Sequence, residues 1–393
     1  MRIIKNKNSH TRFCILFFIF MSIYTTCNLL FMYVQDNAYL GLFQTVLLSA
    51  SAASFMLAFL SGSYTKKELA AFIVSLALAT IIFILVGRHG FEPFIFVLSI
   101  FLMKKMDMRH VARIICISML SVLLIYFACA ALNILPVELD GKKNAIDGSL
   151  INFIRIGNVH GNVVFAVIFA IWSSFLYGFK NNKLKILIGE IGIIVCYFVF
   201  RSRTGLIICS IETLYFLLKG NSFFSRIASR FKGAKIISFV ERYFAVVLAL
   251  SSIIIPVFFY GTPVFDVLDS VFTSRFECTH SYVEAYGVSL FPRELKLFTP
   301  LDNLYSYIFV HYGIIVYVMM LAMIVRCTII LSRSGRKEEL LILNVYCLYA
   351  MSERIIFKPA CFIPLLFFAV LFFEKQGIIR KKHKQIGSEN ERK

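Results

Sequence analysis

Charge is scarce in this chain: of 393 residues only 16% are Asp, Glu, Lys or Arg, while 59% are hydrophobic. A soluble chain keeps about a quarter of its residues charged. The shortage points away from a water-facing globule and toward bilayer-spanning helices, each needing about 20 apolar residues. A cleavable signal peptide is missing too. The first apolar run, Phe13 to Val34, is too long for an h-region and has no small-residue cleavage site, so it reads as an uncleaved first span. Of the ten cysteines only Cys278 falls in an external loop, which gives neither a disulfide framework nor a Cys/His metal spacing. Internal repeats, heptad arrays and low-complexity tracts are absent as well.

Acids are fewer than bases, 22 against 41, for a net charge of +19. The distribution of that charge explains it. Spans are expected at 13–34, 40–61, 69–86, 91–103, 114–136, 162–179, 184–200, 205–218, 243–260, 305–325, 338–352 and 360–373, twelve in all, forming an all-α polytopic membrane domain over 1–374. The segments on the side of the two termini hold 30 of the 41 Lys and Arg, and the other side holds 11. That asymmetry is the positive-inside pattern and predicts cytoplasmic termini. The basicity is therefore topological, and nucleic acid is not expected as a partner. Basic clusters such as Lys381-Lys382-His383-Lys384, in a tail at 375–393 expected to be disordered, suit anionic lipid headgroups.

Two external segments exceed turn length, about 137–161 and about 261–304. The second is rich in Phe, Val, Leu and Tyr and is expected to fold as a cap. Its Val264, Val267, Leu268, Val271 and Phe272 repeat at helical spacing and predict an amphipathic helix with Arg275 near its end. Asp302-Asn303 follows at the start of the tenth span, where either residue can cap a helix.

Arg201-Ser-Arg-Thr-Gly205 separates two short apolar runs, Leu184 to Phe200 and Gly205 to Leu218. These reach about 25 and 21 Å against roughly 30 Å of hydrocarbon, which draws the turn below the outer surface. Arg201 and Arg203 then need anionic partners. Glu190 and Glu212 within the same hairpin are one possibility, favoured for those two carboxylates; a lipid-linked diphosphate, whose oxygens suit the forked guanidinium, is the other. Arg88, Arg155, Arg275, Arg293 and Arg354, with Lys142, Lys143, Lys296 and Lys358, are the remaining external cations. Arg155-Ile-Gly-Asn-Val-His-Gly-Asn162 is dense in polar groups, with His160 among them and Asn162 a candidate helix cap. External carboxylates are Asp266, Asp269, Glu277, Glu284, Glu294 and Asp302, and Asp302 is the best placed as a base; His280 and His311 are further candidates for proton transfer or for structural hydrogen bonding.

Three features resemble the bacterial O-antigen and capsular polysaccharide polymerases, the Wzy-type family related to O-antigen ligases. They are the Ser202-Arg203-Thr204-Gly205 turn, the external loop whose amphipathic helix leads to Ser274-Arg275-Phe276, and Leu301-Asp302-Asn303-Leu-Tyr305 followed by Val310-His-Tyr-Gly-Ile-Ile315. Their order and the twelve-span layout extend the resemblance over essentially the whole chain. Ligases tend to show His-Asn where this chain has Asp302-Asn303, which favours the polymerases.

The resemblance implies a GT-C-like glycosyltransferase architecture and a substrate of oligosaccharide units on undecaprenyl diphosphate, with no cofactor and no metal. It implies Arg203, Arg275, Asp302 and His280 in catalysis, and Arg201, Arg155, His160, Asn303 and Tyr305 in substrate binding. A flippase and a chain-length regulator are implied partners. Loss of Arg203 or Arg275 is then expected to stop polymer formation without preventing accumulation of the protein. An O-antigen ligase and a lipid-linked oligosaccharide flippase or transporter are the alternatives. A transporter calls for polar residues along its spans at midplane depth.

Overall fold

The computed structural model describes residues 7–32, 38–143, 150–180, 182–219, 235–272, 274–296 and 301–373; the basic tail and positions 297–300 of the cap loop lie outside them. The described chain is a helical bundle with one small hairpin. Seven of its helices are long and apolar enough to cross a membrane. Five of these lie before residue 179: α1 (Lys7–Leu30), α2 (Ala38–Ser61), α3 (Lys66–Val86), α5 (Met108–Ala131) and α6 (Gly161–Gly178). The other two are α9 (Lys235–Phe258) and the helical run from 304 to 333.

The expected spans at 91–103, 205–218 and 338–352 are shorter helices: α4 (Phe91–Leu102), α8 (Arg203–Leu218) and α14 (Lys337–Ala350). The expected span at 184–200 is α7 (Lys183–Phe200). The expected run 360–373 breaks into α15 (Ile363–Leu366), a 3-10 turn and α16 (Val370–Phe373). Rows of exposed apolar residues on α2, α3 and α7, such as Leu60, Ile84, Ile188 and Val195, form the outward surface that hydrocarbon requires.

Helix α6 is the axis of the bundle, with 83% of its apolar window buried. Around it the two ends differ. At one end α3 starts with a capping box between Thr65 and Glu68, and the same Glu68 binds Lys104. Glu338 there binds both Arg109 and Lys219, and Glu339 takes Arg336 and the Tyr177 hydroxyl.

The other end, the cap end, carries the irregular structure. The expected loop 137–161 is an antiparallel hairpin of β1 (Val137–Lys143) and β2 (Leu150–Ile156), in which Glu138 pairs with Arg155 in register. The Ile156 carbonyl accepts from the buried Tyr126 hydroxyl on α5 (2.7 Å). The cap contains two helices, α10 (Pro263–Val271) and α11 (Arg275–Tyr286). Arg275 thus starts a second helix instead of ending the first. The α10 stripe behaves as its period requires: Val264, Val267 and Val271 point outward, and Phe265 and Asp269 are buried. Asp269 Oδ1 accepts from the backbone N–H of Phe276 (2.9 Å) and Glu277 (3.0 Å), so α10 caps the start of α11.

Two backbone irregularities fasten the cap. Pro256 inside α9 has no N–H, which frees the Ser252 carbonyl. The Ser306 hydroxyl donates to that carbonyl (3.3 Å) and accepts from Thr279 of α11 (2.8 Å), joining three elements at one kink. Further along, α12 (Leu304–Tyr307) passes into a π-helical turn, Ile308–Tyr312, before α13 (Gly313–Arg333). The wider turn exposes backbone groups that the cap loop takes up. Arg293 N–H donates to the His311 carbonyl (2.9 Å), and Ile314 N–H donates to the Ser289 carbonyl (2.9 Å). Gly313 sits at φ +79, where a Cβ would lie 2.8 Å from the Leu290 and Phe291 carbonyl oxygens. Gly313→Ala is therefore expected to cost about 2 kcal/mol or more through backbone strain and to loosen the cap. Faster proteolysis in the segment 287–296 of the folded protein would register it.

Candidate functional site at the cap end

The turn between α14 and α15 lies at the middle of the cap end. Its 3-10 segment, Arg354–Ile356, packs against both α6 and α12. It is fixed from below by the Tyr346 hydroxyl, which donates to the Ile356 carbonyl (3.1 Å). From the cap it is held by Arg275, whose Nε donates to the Ser352 carbonyl (2.6 Å) and whose Nη2 binds Glu353 (2.9 Å). Nη1 of the same guanidinium donates to the Phe272 carbonyl (3.0 Å). Glu353 is 2% exposed, so this pair is buried. Arg275 is a strut between cap and turn, with donors on three sides already committed.

The cation the turn presents is Arg354. Its guanidinium lies over the Tyr307 ring at 4.8 Å and makes no ion pair among the described residues. One of its nitrogens, Nη1, is buried without a hydrogen-bond partner among the described residues. One turn of helix before Tyr307, Asn303 is fully buried. Its Oδ1 caps the helix by accepting from the Tyr305 and Ser306 N–H groups (3.0 and 3.2 Å), while Nδ2 has no partner among the described residues. The capping role thus falls to Asn303. Asp302, half-buried beside it, enters no ion pair and no side-chain hydrogen bond among the described residues.

Beside this turn runs an apolar cleft of about 200 Å³ walled by α3, α4, the helix from 304 to 324 and the segment 357–372. Its lining is hydrocarbon almost throughout, with Phe101, Met320, Met323 and Phe368 along its length and Tyr312 and Phe357 near the cap end. The Tyr312 hydroxyl is hydrogen-bonded to that of Tyr307, under Arg354. An apolar channel therefore ends beside a guanidinium and a buried amide that both have donors to spare.

Arg201 and Arg203 stand on the same end. The α7–α8 turn is left-handed at Arg201, and Ser202 is buried at the start of α8. Arg203 is exposed with no ion-pair or hydrogen-bond partner among the described residues, and Arg201 rests over Tyr197 and Phe198 at 5.9 and 5.5 Å. Gly161 lets α6 begin directly against this turn, since a Cβ there would lie 2.4 Å from the Phe200 carbonyl oxygen.

The expected pairing of Arg201 and Arg203 with Glu190 and Glu212 does not occur. Those carboxylates lie 11 and 9 residues away along their helices, about 16 and 14 Å. Glu190 accepts instead from Ser210 (2.5 Å) and Thr213 (2.6 Å), and Glu212 accepts from Ser173 (2.7 Å).

The remaining residues singled out from the sequence are held in place by other groups. Arg155 pairs with Asp140 (2.8 Å) on the hairpin. His160, and not Asn162, caps α6, by accepting from the Asn162 N–H (3.2 Å). Tyr305 is buried, and its hydroxyl donates to the Cys347 carbonyl (2.8 Å). His280 lies at the α9–α11 junction, stacked on Tyr260 at 3.5 Å with its Nδ1–H donating to the Pro256 carbonyl (2.9 Å). His311 is fully buried in the π-turn with its ring against Tyr307 at 4.6 Å. Arg354 carried no more weight than any other external base in the sequence. Its usable signal was the isolated Ser352-Glu353-Arg354 between two apolar runs. Lys142 and Lys143 have no described side chains.

Among the described residues no group of three His, Cys, Asp or Glu is placed to hold a metal ion. Comparison with family models, with curated proteins and with solved structures finds no match to this chain.

Proposed function

We propose that this protein is a membrane glycan polymerase. It would transfer an undecaprenyl-diphosphate-linked chain onto the non-reducing end of a lipid-linked repeat unit, at the outer face of a bacterial plasma membrane. The observation that carries this reading is the hydrocarbon cleft ending beside Arg354 and Asn303, with Arg203 on the same end. A ligand with a long apolar tail and a compact anionic head matches that arrangement, and arginine forks suit diphosphate oxygens. In this reading the shorter helices complete twelve passes of a GT-C-like bundle, the cap end is external and both termini are cytoplasmic.

The reaction breaks the bond between the anomeric carbon and diphosphate and forms one to a hydroxyl of the acceptor. Arg354 and Arg203 neutralise charge on the departing diphosphate. Asp302 takes the hydroxyl proton, with His280 the alternative base. Arg275 acts through position, by holding the turn that bears Arg354. Attack opposite the diphosphate inverts the anomeric centre.

The surface glycan of a strain lacking the protein tests the reading: single-repeat glycan in place of a ladder supports it, and an unchanged ladder removes it. In the complemented strain Arg203→Ala is expected to lower polymer yield roughly tenfold or more at normal protein level. Arg203→Lys should restore little of it.

A second reading, lipid-linked oligosaccharide transport, is favoured by the two carboxyls within the bundle. Glu190 and Glu212 lie among α6, α7 and α8, and ionisable residues at such depth mark pathways in transporters. Flipping of lipid-linked units in vesicles containing this protein alone would establish it in place of the first.

A further inference from the structure

A second cavity, of about 290 Å³, lies on the opposite side of α4 from the hydrocarbon cleft. The first turn of α4 is the shared wall: Pro93 and Phe96 face the cleft, while Phe91, Glu92 and Ile95 face the second cavity. The facing wall is the end of α1, with Tyr24, Thr25 and Asn28, and the turn 358–360 closes the third side. That turn is fixed to α1, because Ser22 Oγ donates to the Ala360 carbonyl (3.0 Å). Lys358 Nζ binds Glu92 Oε1 (2.5 Å) across the cavity edge.

The lining is chemically unlike that of the cleft. It offers a phenol, an amide, a carboxylate, an ammonium and a threonine hydroxyl, with the Tyr24 and Phe91 rings among them. Neither Tyr24 nor Asn28 has a side-chain hydrogen bond to a described residue. Glu92 and Lys358 cancel each other, so the cavity selects for hydrogen-bonding capacity and not for net charge. Its volume is near the small end of ligand pockets, about 300 Å³. A neutral, polyhydroxylated ring fits such a lining: its hydroxyls can bridge amide, carboxylate and phenol, and its apolar face can lie on an aromatic ring. The shared α4 wall puts that ring next to the head of any lipid held in the cleft.

We infer that this cavity is a saccharide site, which binds a terminal glycosyl unit of the lipid-linked glycan. The inference rests on the polymerase reading for the identity of that glycan. Asn28, Tyr24 and Glu92 hold the hydroxyls, and the Lys358 contact fixes Glu92 at the cavity edge.

The test uses the full-length protein in nanodiscs and two probes: the lipid-linked glycan accumulated by a strain lacking the protein, and undecaprenyl diphosphate without sugar. The wild type is expected to bind the glycan-bearing lipid roughly tenfold more tightly, the equivalent of one or two hydrogen bonds. Asn28→Ala and Tyr24→Phe should each remove most of that preference and leave the affinity for the sugar-free lipid unchanged. Equal binding of the two lipids by the wild type, or full preference retained in both variants, overturns the saccharide site while leaving the polymerase reading standing. Binding of neither lipid overturns both. A sugar preference lost in the variants, in a protein whose absence leaves the surface ladder unchanged, keeps the saccharide site and removes the polymerase.

Discussion

Arg354→Ala is expected to leave only single-repeat glycan on the cell surface, a loss of polymerisation of roughly 100-fold or more, while the protein accumulates normally. The size follows from what the residue has to spare. Its guanidinium meets one ring face, a contact worth about 1 kcal/mol, and has a buried nitrogen with no acceptor among the described residues. Removing it therefore costs the fold little. If a diphosphate leaves at this position, the same deletion removes a charge stabiliser from the transition state, and one such donor is worth about two to three orders of magnitude. Arg354→Lys should recover only a small part, because a point charge does not reproduce two parallel donors. The glycan ladder and an immunoblot of membranes from the same cells check both halves. A normal ladder from the alanine variant would take Arg354 out of the site.

Arg275→Ala has the opposite signature. Its partner Glu353 is 2% exposed, and deleting the arginine leaves that carboxylate buried without its cation. Breaking a buried pair from one side costs about 3–5 kcal/mol, a large share of the stability of most folded chains. Arg275→Ala is thus expected to accumulate poorly and to lose polymer for that reason, contrary to what the sequence alone suggested for it. Adding Glu353→Gln removes the stranded charge and should restore much of the protein level. Fluorescence-detected size exclusion of the detergent-extracted variants measures the effect. Full accumulation of the single variant would show that the strut is dispensable.

These two arginines show how far the residues could be read without the fold. The helical membrane class was legible, because hydrocarbon imposes it on every long apolar run. So was the amphipathic α10, because a helical period is a local property. What was not legible was the division of labour among the cations of the cap end. Arg275 finds Glu353 78 residues later, and the asymmetry between a committed guanidinium and a free one exists only once the α14–α15 turn is docked under the cap. The same holds for Asp302 and Asn303, neighbours with equal capping ability, of which the backbone geometry uses only the second. Glu190 and Glu212 were assigned to the arginines because the hairpin was considered by itself. Glu190 finds its donors across the hairpin on Ser210 and Thr213, and Glu212 finds Ser173 on α6, a helix outside the hairpin. The hairpin at 137–156 was read as loop, since alternation over seven residues is a faint signal beside runs of twenty apolar ones.

Trp172 has a practical consequence. It is the only tryptophan in the chain, and its indole N–H donates to the Thr213 hydroxyl (3.0 Å), which in turn donates to Glu190 (2.6 Å). The protein therefore carries a single native fluorophore wired to a carboxylate in the middle of the bundle. Any shift of α7 or α8 against α6 alters the polarity felt by one indole. Emission from the unlabelled protein, free of background from other tryptophans, becomes a direct optical readout of the bundle interior while lipids are added at the far end.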